Sequence, residues 1–72
     1  MDEVAYKILN LLEKSNGPLT TLEIIEKLGI SKASASIALY KLLKLGKVRR
    51  VFIDGVYDPP YHFDTSSWEV VR

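Results

Sequence analysis

Apolar residues recur at helical spacing through the first two thirds of the chain, and the period changes after Gly46. Ala5, Ile8, Leu9 and Leu12 stand at i, i+3, i+4 and i+7, the stripe of one helix face. The pattern predicts a first helix over about 3–15, with Asp2 as its N-cap and Ser15-Asn16-Gly17-Pro18 as its stop. Thr20-Thr21-Leu22-Glu23 has the form of a capping box, and Leu19 and Ile24 fit the matching hydrophobic staple. A second helix is therefore expected over about 21–28, ended by Gly29. Ser31 then caps a third helix over about 32–45, with Ala35, Ala38, Leu39, Leu42 and Leu45 as its apolar stripe. Beyond Gly46, Val48 to Ile53 is β-branched and aromatic, and Asp54-Gly55 is a two-residue hairpin signal leading into Val56-Tyr57. Pro59-Pro60 stops that strand or keeps it at an edge, and Tyr61-His62-Phe63 is placed to resume it. The wing-like hairpin occupies about 47–63, and 64–72 is a tail whose Trp68, Val70 and Val71 pack back on the body. The expected class is α+β in a single domain over 1–72: three helices followed by a two-stranded hairpin.

Composition narrows what such a domain does. Seventy-two residues bury only about 60% of the surface of the unfolded chain, so stability depends on good packing or association. There is no cysteine and one histidine, His62, so thiolate chemistry and a multi-histidine metal site are excluded. No Ser/His/Asp arrangement, Gly-rich phosphate loop or paired acids at catalytic spacing is present, and the expectation is a protein that is not an enzyme and carries no cofactor. No segment reads as a small-molecule pocket. No apolar run approaches the roughly 18 residues of a membrane helix and no signal-peptide layout opens the chain, so a cytoplasmic location without membrane contact is expected. Missing Gln and Cys, scarce Asn and abundant Ile, Val and Lys point in the thermophile direction.

The net charge is only +1, yet it is segregated. No acid lies between Glu26 and Asp54, a stretch holding Lys27, Lys32, Lys41, Lys44, Lys47, Arg49 and Arg50. Such a stretch is either a solvated helix face or an electrostatic footprint for a polyanion. The turn around Gly29 bears on the choice. Ile24, Leu28, Ile30, Ala35 and Ala38 supply the apolar flanks that two steeply crossing helices need, with small residues where they meet. The segment Leu19 to Val48, with Pro18 before it, resembles the winged helix-turn-helix family of small transcription regulators. The resemblance extends over about residues 5–63. Ile25 departs from it, standing where the family pattern usually has Ala, which implies a slightly wider or repacked helix crossing.

The resemblance implies double-stranded DNA as partner, with the third helix in the major groove and the wing on the backbone or minor groove. The implied contacts on the helix are Ser31, Lys32, Ala33, Ser34, Ser36, Ile37, Tyr40, Lys41 and Lys44. Those near the wing base are Lys47, Arg49 and Arg50. The chemistry fits: a helix N-terminus favours phosphate, and serine hydroxyls bond phosphates or base edges. Ile37 suits a thymine methyl or a protein-facing surface. Arg, Asn and Gln, the strongest bidentate base readers, are missing from this face, so modest sequence discrimination is expected. Strand alternation puts Arg49 and Arg50 on opposite faces, one of them with its stem packed on the sheet.

A narrower resemblance is to Zα domains, winged helices that bind left-handed nucleic acid. Lys32, Tyr40, Pro59 and Pro60 match it, whereas Ser36 stands where that family has asparagine and His62 where it has tryptophan. The bland alternatives are an edge-strand stop for Pro59-Pro60, a rim residue for Tyr40, core packing for Trp68 and an ordinary strand residue for His62. A separate class of reading is a protein-interaction winged helix. Leu11, Leu22, Ile37 and Leu43 stand off the core stripes, and clustered exposure would mark an interface. The same residues would serve a homodimer that pairs two reading helices about one DNA turn apart.

Overall fold

Each helix begins where a side-chain oxygen is available for its unpaired amides. The computed structural model describes residues 2–51 and 63–72. Asp2 opens α1 (Glu3–Lys14) by accepting the Ala5 N–H on Oδ1 at 2.8 Å. Thr20 opens α2 (Thr21–Leu28) with both halves of the capping box: its hydroxyl accepts the Glu23 N–H at 3.1 Å, and Glu23 Oε1 accepts the Thr20 N–H at 3.0 Å. Ser31 opens α3 (Lys32–Lys44) by accepting the Ser34 N–H at 3.1 Å. Gly29 closes α2 at φ 63°, in the left-handed region, with its own N–H and that of Ile30 both donating to the Ile25 carbonyl.

Among the described residues, three short strands form one antiparallel sheet in the order β1-β3-β2: β1 is Leu19–Thr20, β2 is Val48–Val51 and β3 is Ser67–Val70. The register sets Leu19 opposite Trp68, Val48 opposite Val70, Arg49 opposite Glu69 and Arg50 opposite Trp68. The pairing continues past the strands through Thr21 N–H to the Ser66 carbonyl and Val71 N–H to the Lys47 carbonyl. Among the described residues the partner of β2 therefore comes from 64–72, the segment expected as a tail. Residues 67–70 are the central strand, held because Trp68 is fully buried and its backbone bonds on both sides. Phe63, expected to resume a strand, instead starts a 3-10 turn (Phe63–Thr65) that leads into β3. The Asp54-Gly55 turn, Val56-Tyr57 and Pro59-Pro60 lie outside the described residues.

One core joins the layers. Ala5, Ile8 and Leu12 of α1, Ile24 of α2, Ala38, Leu39 and Leu42 of α3, Val48 of β2 and Trp68 of β3 are buried together. Alanine at 35 and 38, both buried, keeps α3 thin on its inner side. Leu45 departs from the expected stripe. It is the C-cap of α3 and 57% exposed, because Gly46 at φ 73° turns the chain toward β2 before Leu45 reaches the core. Leu11 and Leu43 are half-buried against the core, which leaves Leu22 and Ile37 as the exposed members of that apolar set, on different helices.

Candidate nucleic-acid interface

The inward face of α3 is used up by Ala35, Ala38, Leu39 and Leu42. Helical geometry then presents Ala33, Ile37, Tyr40 and Lys44 as one outward stripe, with Ser36 and Lys41 on its flanks. Ala33, Tyr40, Lys41 and Lys44 are exposed, Ser36 is half-buried, and Ile37 is 66% exposed. At the start of the helix Ser31 and Lys32 are exposed and Ser34 is half-buried. The Ser31 hydroxyl also donates to Ser34 Oγ at 2.9 Å, so these two serines already serve the cap.

Tyr40 belongs to a cluster that spans three elements. Its ring stacks on Phe63 with centroids 5.7 Å apart and meets the Trp68 ring edge-on at 6.3 Å. The Arg50 guanidinium lies 5.4 Å from the centroids of both Tyr40 and Trp68, and its Nη2 donates to the Tyr40 hydroxyl at 3.1 Å. Below them the indole N–H of Trp68 donates to the buried Thr21 hydroxyl at 2.8 Å. Cross-strand pairing explains the geometry: Arg50 and Trp68 are direct partners and share a sheet face. Arg50 is thus the arginine with its stem on the sheet, and its head sits at the rim of α3. Arg49, on the opposite face, is exposed and bonded to Glu69.

The acid-free stretch is not acid-free in space. Asp2 pairs with Lys41, Oδ2 to Nζ at 3.2 Å, while its other oxygen caps α1. The Ala5 N–H first, and the Lys41 ammonium second, hold the Asp2 carboxyl below the usual carboxylate range. Glu69 forms an ion pair with Arg49. Lys44 and Lys47 are exposed and carry no ion pair among the described residues. Sequence reasoning missed Asp2, Glu69, Thr21 and Phe63 as neighbours of this surface. The capping role of Asp2 was legible, but its reach across 39 positions to Lys41 left no local signal. Pro59, Pro60 and His62, which bear on the Zα resemblance, lie outside the described residues.

A three-stranded sheet closing a three-helix unit, with the third helix offering a solvent face beside β2, is the winged helix arrangement. A family described as winged helix-turn-helix DNA-binding matches residues 1–49 of the 72, and the chain belongs to that family. Among solved structures, the ferric uptake regulator from Francisella tularensis, determined with iron, matches with a TM-score of 0.72 over 97% of this chain and 52% of that one. The two are 18% identical, so the likeness is one of fold alone, and this chain spans about half the length of that regulator. No curated protein sequence matches the chain. Among the described residues no group of three or more His, Cys, Asp or Glu is placed to hold a metal ion, and no helix is long and apolar enough to cross a membrane.

Proposed function

We propose that this domain binds double-stranded DNA as a non-enzymatic transcription regulator of the cytoplasm, with α3 in the major groove and the β2 end of the sheet against the backbone. The observation that carries the reading is the outward stripe of α3, exposed and without an acid, inside a chain of a DNA-binding family. Its 13 residues make a rod of about 20 Å, and a major groove about 12 Å wide admits it. Ser31, Lys32, Ser34 and Lys44 supply phosphate donors along the helix, Lys47 supplies one beyond it, and Ser36 is the polar reader of base edges. Ala33 and Ile37 are apolar and suit thymine methyls. Lys41 and Arg49 contribute less, since each already has a carboxylate partner. The surface is rich in backbone contacts and poor in bidentate readers, so discrimination between sequences is modest.

Anisotropy of a labelled mixed-sequence duplex, titrated at several salt concentrations, tests this. Lys32→Ala and Lys44→Ala should each weaken binding and reduce the salt slope by about one. Lys41→Ala should do less, because its ammonium is already paired with the Asp2 carboxylate. Unchanged affinity in both of the first two variants would mean that α3 does not face the duplex.

A further inference from the structure

Tyr40 is the least ordinary residue on the outward stripe. Its ring is committed to packing, with Phe63 stacked against it, the Trp68 ring meeting it edge-on and the Arg50 guanidinium close to its centroid. Its hydroxyl oxygen already accepts a hydrogen bond from Arg50. A phenol that accepts at oxygen still has one proton to donate. Among the described residues no acceptor takes that proton, although the residue is 41% exposed. The donation from a guanidinium polarises the O–H and makes it a better donor to an anion.

We infer that Tyr40 is a phosphate-binding residue at the junction of α3 and the sheet, and that Arg50 is its positioning residue. The inference deepens the DNA-binding reading and rests on it. The ligand is a phosphate oxygen of the duplex backbone, taken by the Tyr40 O–H. Arg50, fixed between two aromatic rings and paired across the strands with Trp68, holds the hydroxyl so that its proton points away from the protein. The ring itself is a poor platform for a base, because Phe63 already stacks on it. Tyr40 therefore helps fix the register of the helix on the duplex and adds affinity that is independent of sequence.

The experiment is a double-variant cycle on duplex affinity with Tyr40→Phe and Arg50→Met, read on at least three unrelated duplex sequences and at several salt concentrations. Tyr40→Phe keeps the ring and its stacking, and thermal unfolding reports whether the fold is intact. The expected result is a loss of about tenfold on every duplex with the salt slope unchanged, since a hydrogen bond to a charged group is lost and no charge is removed. In the Arg50→Met background the same change should cost less than twofold, and Arg50→Lys should restore only part of the coupling because a lysine lacks the planar fork. Wild-type affinity in Tyr40→Phe overturns the inference. So does a loss that varies with duplex sequence, which would make Tyr40 a base reader, and so does strict additivity with Arg50→Met. Failure of the wild-type chain to bind any duplex at low salt is a different result and overturns the DNA-binding reading itself.

Discussion

Asp2 carries two structural roles on one carboxylate. One oxygen caps α1 and the other bonds Lys41 on the flank of α3. Asn caps a helix about as well as Asp but lacks the charge. Asp2→Asn should therefore leave helix content unchanged, release Lys41 toward phosphate and raise duplex affinity severalfold, with the salt slope steeper by about one. A fall in affinity would show instead that Asp2 orients Lys41 for the duplex. Thr21 offers a contrasting case in the core. Its hydroxyl is the acceptor for the buried Trp68 indole N–H. Thr21→Val fills the same space and leaves that N–H without an acceptor, at a cost of about 1–3 kcal/mol by denaturant unfolding. A Val variant as stable as the parent would mean that this bond adds nothing to the stability of the core. Neither link was legible beforehand: an N-cap and a threonine opening a helix are visible as local patterns, whereas the partners of Asp2 and Thr21 lie 39 and 47 positions away.

At the scale of elements, the helices are the part that local chemistry decides. The boundaries of α1, α2 and α3 follow from Asp2, Thr20, Gly29, Ser31 and Gly46, each of which bonds or bends the backbone as its type predicts. The strands are decided elsewhere. β1 is two residues long, too short for alternation to register, and Ser67 to Val70 carries no turn signal before it that would mark β3 as a strand. Both exist because Trp68 of β3 is buried in the core and pairs with Leu19 of β1, a fact of tertiary packing. The α2 cap makes a pH prediction. The Thr20 backbone N–H, with its hydroxyl second, holds the Glu23 carboxyl below its usual range, and Asp2 is lowered as well. Each group binds its proton less readily folded than unfolded. Their stabilisation is complete above the ordinary carboxylate range and is lost as pH falls through the lowered folded values. Thermal unfolding followed at decreasing pH should show the midpoint dropping in that window. Thr20→Ala should cost about 1 kcal/mol near neutrality, and Glu23→Gln, which keeps the capping box but removes the titrating group, should flatten the acid limb. An acid limb as steep as the parent's would assign the pH dependence to other carboxylates.

For the molecule as a whole, charge placement matters more than charge total. A net +1 conceals a basic α3 side, and the fold in turn returns two acids, Asp2 and Glu69, to that basic stretch. The salt slope for a duplex should thus be smaller than the count of seven cations between Glu26 and Asp54 suggests. The fold class was open to sequence reasoning because caps and the Gly29 turn are local. The arrangement of the site was not, because Arg50, Tyr40, Phe63 and Trp68 come together only through the sheet. The exposed apolar residues Leu22 and Ile37 lie on different helices, and Leu11 and Leu43 pack inward.

The central claim is that α3 and the adjoining strand meet a duplex. An amide NMR titration of the labelled chain with a mixed-sequence duplex, at low and then moderate salt, tests it most directly. Shifts should concentrate on residues 31–44 and 47–51 and weaken as salt rises. Absence of shifts at low salt, where non-specific binding alone should register, or shifts confined to the α1 and α2 surfaces, would contradict it.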